Sequence, residues 1–508
     1  MKRDWEFIKD KTVVITEIIP NDLEKYFDFF RENIIGQNIE FETPYGPKKL
    51  IYADWIASGR LYGPIEQKMA NLFGPFVGNT HTETSVTGTT MTQSYHYAQQ
   101  IIKQHVNAAE QDVLMFTGFG MTSAVLKLQR ILGLRVPEQL RGYIKLPEEV
   151  RPIVFVTHME HHSNHTTWLE SLADVVVLQP NQQGLVDPEQ LNYQLEKYKH
   201  RRTKIGAFTA CSNVTGIETP YHQLAKIMHQ HGGYCFVDFA ASAPYVEINM
   251  HPDDPEAKLD AIYFSPHKFL GGPGSSGVLV FDSKLYTLKS PDQPGGGTVK
   301  WTNPWGGYRF FDEIELREDG GTPGFLQAIR AALAIQLKDK MRIANIQRQE
   351  QELLRIAFDE LKSIPGLKIL AGHIEQRLGI ISFYFDNIHY NLVVKLLNDR
   401  FGIQVRGGCS CAGTYGHYLL NIDQNTSRQI TNKIDAGDLS AKPGWVRLSL
   451  HPTMTSDEIY QIADAIRTIG KNINRWKKDY RYSPTTNEFY HIREHFDKMI
   501  ELRKWFAF

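Results

Sequence analysis

Asp238 and Lys268 close two neighbouring apolar runs. The first is Tyr234-Cys235-Phe236-Val237-Asp238, and the second is Ala261-Ile262-Tyr263-Phe264-Ser265, followed by Pro266-His267-Lys268 and the glycine pair Gly271-Gly272. A charge at the end of a buried strand needs a partner, because an unpaired one is costly. An Asp–Lys ion pair, or a lysine solvated in its loop, would meet that need. So would a pyridoxal phosphate site, where the lysine amine condenses with the cofactor aldehyde and the carboxylate keeps the ring nitrogen protonated, making the ring an electron sink. A second reactive type sits in Arg406-Gly407-Gly408-Cys409-Ser410-Cys411-Ala412-Gly413. Cysteines in a glycine-rich loop are accessible, whereas Cys211 and Cys235 fall in predicted strands and read as inert packing. Zinc would find Cys409, Cys411 and His417 at best, with no second cysteine pair.

Three further groups have usable chemistry. Thr117-Gly118-Phe119-Gly120-Met121-Thr122-Ser123 links an apolar strand to a periodic run through Val125, Leu128 and Leu132. The first turn of such a helix offers free N–H groups and the positive dipole end to a phosphate, with Thr122 and Ser123 adding hydroxyls; a plain N-cap would read the same way. His158, His161, His162 and His165 would share a face on a helix, as a metal site requires, yet the segment directly follows a strand end and begins as a loop. Arg447 lies inside the apolar strand Trp445-Val446-Arg447-Leu448-Ser449-Leu450. Its planar fork suits a substrate carboxylate, with Arg406 as second choice; a structural Arg–Asp pair is the alternative.

The elements that must position these groups follow from length and periodicity. A chain of 508 residues implies two domains plus additions, and 42% hydrophobic with 22% charged residues describes a globular protein. A net charge of −1 argues against nucleic acid or an acidic membrane as partner. Four cysteines are too few for a disulfide framework, the charged start MKRDWEFIKD lacks a signal core, and no apolar run spans a bilayer, so a cytoplasmic protein is expected. Residues 1 to about 45 form an N-terminal helical arm, with Leu23, Phe27 and Phe30 on one face. The stretches 78–85 and 87–90 read as polar loop, followed by a helix from about 95 to 107. Strands then alternate with helices from 113 to 239, the signature of a mostly parallel sheet covered by helices on both faces, with ligands off the carboxyl strand ends. Gly277 to Phe281 should run antiparallel to its neighbour because the connection is short. A long helix starts near Phe325 and runs past Arg342. From about 365 the pattern suits a smaller α+β domain, with a polar insertion from Tyr415 to Lys442 and, from about 472, an extension ending in an amphipathic helix over Phe489 to Trp505 at a subunit interface.

Ser265-Pro266-His267-Lys268 with Gly271-Gly272 resembles the lysine motif of class V aminotransferases and cysteine desulfurases, and Val237-Asp238 resembles their aspartate motif. The order and separation of the two make the resemblance specific, and it spans roughly residues 45 to 470. It implies an α/β chain of the pyridoxal-phosphate-dependent transferase fold (fold type I), with a large cofactor-binding domain over 46–320 and a smaller α+β domain over 321–508. By resemblance, Lys268 is the cofactor lysine and proton shuttle, Asp238 tunes the ring, and His161 in Glu160-His161-His162 stacks on it. Met121 and Thr122 match the phosphate cup, Ser265 and His267 line the cofactor, and Thr298 in Gly295-Gly296-Gly297-Thr298 reaches the partner subunit's cofactor phosphate. Ala241 stands where the family places a glutamine, so Ser242 or Asn213 would contact the ring oxygen, Asn213 also facing substrate. Arg447 matches the carboxylate-binding arginine and Cys411 the sulfur-accepting cysteine, Cys409 either resolving a persulfide or standing by. The implied activity is that of a cysteine desulfurase or selenocysteine lyase on an amino-acid substrate, in a homodimer with a sulfur-acceptor protein and no metal. The alternative is a class V aminotransferase for another amino acid, in which Cys411 is dispensable.

Overall fold

The structure is a computed structural model that describes residues 22–493 and 498–507. Its frame is a seven-stranded sheet built from β1 (Asp112–Thr117), β2 (Ile153–Thr157), β3 (Asp174–Leu178), β4 (Lys204–Thr209), β5 (Tyr234–Asp238), β6 (Ala261–Phe264) and β7 (Gly277–Asp282). In space these run β1-β7-β6-β5-β4-β2-β3. Neighbours from β6 through β3 pair in parallel, while β7 is antiparallel to both β6 and β1, as the short link after Ser265 requires. The central strands are buried on both faces, which explains their near-continuous apolar sequence. Register aligns the carboxyl ends: Thr209 lies opposite Asp238, and Asp238 opposite Tyr263. The candidate groups at strand ends therefore open onto one edge.

A second sheet of four strands follows, β8 (Leu367–Ile369), β9 (Ile380–Phe385), β10 (Arg406–Gly408) and β11 (Trp445–Ser449), in the order β8-β9-β11-β10 and antiparallel throughout. The short strand Ile51–Tyr52 pairs in parallel with Ile403–Gln404, so residues 51–57 are built onto this C-terminal unit. Ser449 N–H donates to Ala53 O at 2.8 Å and Ile56 N–H to Ser449 Oγ at 3.1 Å.

Five helices matter to the site: α1 (Val86–His105), α2 (Met121–Ile131), α3 (His162–Leu169), α4 (Phe325–Met341) and α5 (Gly413–Leu419). Several elements depart from expectation. Residues 87–90, read as loop, belong to α1, because Ser85 caps it by accepting from Gly88 N–H at 3.2 Å. The long helix from Phe325 breaks at Arg342, whose φ of +60° lies in the left-handed region, and a second helix runs over Ile343–Lys362. Residues 480–491 form a β-hairpin, Tyr480–Ser483 against Glu488–His491, and among the described residues of the helix expected over 489–505 only Lys498–Trp505 is helical; alternating aromatic and polar residues suit a strand in the hairpin. The insertion carries α5 and a helix over Gln424–Asp435. In the arm, the helix Leu23–Glu32 buries Phe27 and Phe30, and residues 1–21 lie outside those described. No helix among the described residues is long and apolar enough to cross a membrane.

Candidate active site

Lys268 closes a 3-10 turn, Pro266–Lys268, directly after β6. Two glycines permit that turn. A Cβ on Gly59 would lie 1.9 Å from Phe269 O, and one on Gly272 would lie 1.8 Å from Pro266 O. Gly59 N–H donates to His267 O at 2.9 Å, stitching the 51–59 segment to the lysine turn. Burial holds the Lys268 amine down at about 8, against an ordinary 10.5. Asp238 ends β5 and accepts from Ala240 N–H at 2.8 Å, and burial raises its carboxyl to about 6. The two side chains form no ion pair, which removes the simplest account of their placement.

Both line one cavity of about 410 Å³ at the carboxyl edge of the large sheet. His161 joins them as the N-cap of α3, its Nδ1 accepting from Ser163 N–H at 3.1 Å. Burial, reinforced by the neighbouring Lys268 charge, lowers its pKa to about 3, so the imidazole is neutral. The other histidines do not converge on a metal. His158 bonds Gly184 O at 3.1 Å, His162 accepts from Gly413 N–H at 2.8 Å, and His165 pairs with Thr414 at 3.3 Å.

Met121, Thr122 and Ser123 bring the first turn of α2 to the same cavity, together with Ser265 and His267. The fit is close: a Cβ on Gly120 would lie 2.9 Å from Ser265 Oγ. Met121 N–H already donates to Ser265 Oγ at 2.8 Å, and Thr122 Oγ1 bonds Ser163 Oγ at 2.7 Å, a lining residue that sequence reasoning passed over.

Asn213 lines the cavity, donating through Nδ2 to Ser410 O at 2.7 Å, and its buried Oδ1 has no partner. Ser242 does not line it; its hydroxyl is wholly buried behind no hydrogen bond, and Ala240 and Ala241 form that wall. Thr298 is 0% exposed, and its hydroxyl donates to Gly295 O at 2.7 Å within its own turn.

The C-terminal unit supplies the remaining wall. Arg447, 3% exposed, donates through Nη2 to Asp54 Oδ1 at 2.9 Å and through Nη1 to Asn213 O at 3.3 Å, while its Nε is buried without a partner. Arg406 Nε donates to Asp54 Oδ2 at 3.1 Å. The Arg–Asp pairing weighed for Arg447 is thus present, shared by two arginines, and both still face the cavity.

Cys411 is exposed and on the cavity wall, whereas Cys409 is half-buried and packs against the core. Ser410 and Cys411 hold φ of +51° and +57°, left-handed values that cost about 1–3 kcal/mol each for non-glycine residues. Hydrogen bonds across the cleft hold them there: His162 N–H to Cys411 O at 2.7 Å, Gly413 N–H to His162 Nε2 at 2.8 Å, and Asn213 to Ser410 O.

The model of the class-V aminotransferases matches residues 51–462. This chain belongs to that family. The class-V chain is therefore an enzyme, and a probable cysteine desulfurase of Halalkalibacterium halodurans is 28% identical to it over 367 residues, 72% of this chain and 84% of the relative. One from Staphylococcus aureus is 27% identical over 369 residues, with the same coverage of 72% and 84%. Among solved structures, the apo cysteine desulfurase of Thermococcus onnurineus superposes with a TM-score of 0.69 at 23% identity, covering 87% of this chain and 98% of that one. The cysteine desulfurase CsdA of Escherichia coli, in an S-sulfonic acid form, gives a TM-score of 0.65 at 22% identity, covering 83% and 94%. The class-V chain accordingly has the fold type I architecture of the pyridoxal-phosphate-dependent transferases.

Proposed function

We propose that this enzyme is a pyridoxal-phosphate-dependent cysteine desulfurase or selenocysteine lyase, which moves sulfur or selenium from an amino acid to Cys411. The observation that carries this is the meeting of Lys268, Asp238, His161, Arg447 and an exposed Cys411 on one cavity. The relatives' names point the same way.

The donor set suits the cofactor. Lys268, Asp238 and His161 would hold its ring and carbonyl carbon, and the first turn of α2 with Ser265 and His267 would hold its phosphate. The unpartnered Asn213 Oδ1 faces the same space. Bound there, pyridoxal phosphate supplies a carbonyl that captures the substrate amine and a ring that accepts its electrons. The chain's own residues do the rest. Asp238, buried and held by Ala240 N–H, presents an acceptor to a protonated ring nitrogen. Lys268, with its amine near 8, takes and returns a proton at neutral pH. Arg447 and Arg406 bind the α-carboxylate. The Cys411 thiolate attacks the substrate sulfur, the carbon–sulfur bond breaks, and the carbon takes a proton, so cysteine and the thiol become alanine and a Cys411 persulfide. The partners this implies are an acceptor protein and a second copy of the chain.

Loaded protein given L-cysteine should release sulfide in the presence of a thiol, and Cys411→Ala should keep its visible absorption while losing that release. Unchanged release in the variant would remove Cys411 from the chemistry. Half-reaction with a 2-oxo acid restoring the starting spectrum, without need of Cys411, would favour the aminotransferase alternative.

A further inference from the structure

Helix α5 begins at Gly413, and its N-cap position is Ala412, whose side chain cannot accept a hydrogen bond. His162, at the start of α3, supplies the missing acceptor from across the cleft: its Nε2 accepts from Gly413 N–H at 2.8 Å. The backbone of the same residue reaches the loop on the other side of Ala412, His162 N–H donating to Cys411 O at 2.7 Å. The fit is tight, since a Cβ on Gly413 would lie 3.1 Å from His162 Nε2. One turn along α3, His165 Nδ1 bonds Thr414 Oγ1 at 3.3 Å. Ser410 and Cys411 keep their left-handed φ only while such restraints hold, because strained residues persist where the surroundings fix them. Of the three bonds to the loop backbone, those at Cys411 O and Ser410 O come from amides, which do not titrate. The bond from Gly413 N–H to the ring is different. A backbone amide only donates, so Nε2 accepts as part of a neutral imidazole, whereas a protonated ring would set a second donor against the same N–H.

We propose that His162 is a positioning residue for Cys411, holding the thiol at the main cavity while its imidazole is neutral and losing that hold when the ring takes up a proton. This role rests on the sulfur-transfer reading above. The charged or titratable groups around the ring are His161 and His165 at the start of the same helix, Cys411 and His417 on the facing loop and α5, and Lys442 from the end of the insertion. None of these is a carboxylate that would favour a protonated ring. Burial, and after it Lys442, hold the ring below its ordinary 6.5. When the loop opens, the ring returns to that ordinary value. Between the two values the open state binds more protons, so opening becomes easier as pH falls below 6.5 and is unchanged well above it. His162 does not itself line the main cavity, although His161 and Ser163 on either side of it do, so the ring can hold the loop without touching cofactor or substrate.

The test follows the Gly413 amide by hydrogen exchange resolved to the residue, at pH 8, 7 and 5.5 with the intrinsic rate divided out, on both stripped and pyridoxal-phosphate-loaded protein. Wild-type protection should fall at least about threefold between pH 7 and 5.5 in both forms. His162→Gln, whose side-chain oxygen accepts but does not titrate, should keep the amide protected with no such fall. In His162→Leu protection at pH 8 should drop about tenfold. Sulfide release from L-cysteine by the loaded leucine variant should drop about tenfold or more. Its dissociation constant for L-alanine, read by visible absorption, should move by less than about twofold, and His162→Gln should restore release. Wild-type protection that does not change with pH, or a leucine variant that releases sulfide normally, overturns the proposal. Should the leucine variant fail to fold, wild type against His162→Gln decides alone, and identical pH profiles overturn it. A wild-type protein that binds L-alanine and releases no sulfide from L-cysteine overturns the sulfur-transfer reading and this role together, whereas release with protection that ignores pH overturns this role only.

Discussion

Replacing Lys268 by methionine should stabilise the cofactor-free protein, by an amount that depends on pH. Burial lowers the amine from an ordinary 10.5 to about 8. Between those values the folded chain binds fewer protons than the unfolded chain, so folding stability rises with pH. The penalty is therefore complete below pH 8 and gone above 10.5. At ~1.4 kcal/mol per pH unit the upper bound is about 3 kcal/mol. Urea unfolding of both proteins at pH 7, 8.5 and 10 measures the gap, which should be widest at pH 7 and down to roughly a quarter of that at pH 10. The same depression leaves about a quarter of the amine as free base at pH 7.5, against ~0.1% for an ordinary lysine. Uptake of pyridoxal phosphate by the stripped protein should therefore climb with pH and level off just above 8. A stability gap flat across pH, or uptake still climbing at pH 10, would refute a buried and depressed amine.

Gly59→Ala should cost at least about 2–3 kcal/mol and lower cofactor occupancy, because the new Cβ meets Phe269 O at 1.9 Å beside the lysine turn; melting temperature and visible absorption check both. Gly120→Ala should weaken pyridoxal phosphate binding about tenfold, or ~1.4 kcal/mol, by pushing Ser265 Oγ from 2.9 Å, with the melting temperature of the stripped protein nearly unchanged. Thr298→Ala should cost about 1 kcal/mol in unfolding and leave cofactor affinity alone, since its hydroxyl serves only the 295–298 turn; a fall in affinity would restore it to the phosphate site.

The large sheet could be read from sequence because its strands are buried on both faces and so are apolar almost without interruption, with the chemistry punctuating their ends. Asp238 and Lys268 were visible for that reason. What sequence hides is pairing between distant segments. Nothing in the sequence around Asp54 says that it joins Arg406 and Arg447, more than 350 positions away. Ser163 next to Thr122 is hidden likewise. At Thr298, a hydroxyl that closes a glycine turn, as this one does toward Gly295 O, and one that awaits a phosphate look identical in sequence. The helix expected to start at Phe489 instead has a strand over its first residues, because aromatic residues at mixed spacing fit both periods over so short a run.

The segment bearing Cys411 belongs to the C-terminal unit but is moored to the opposite bank at three points, through Cys411 O, Ser410 O and Gly413 N–H. A thiol on such a mooring is a fixed station and cannot swing out as a carrier arm. On the proposed chemistry, sulfur loaded there would be collected at the cleft, and its acceptor would bring its own nucleophile to the mouth of the cavity on a protruding segment.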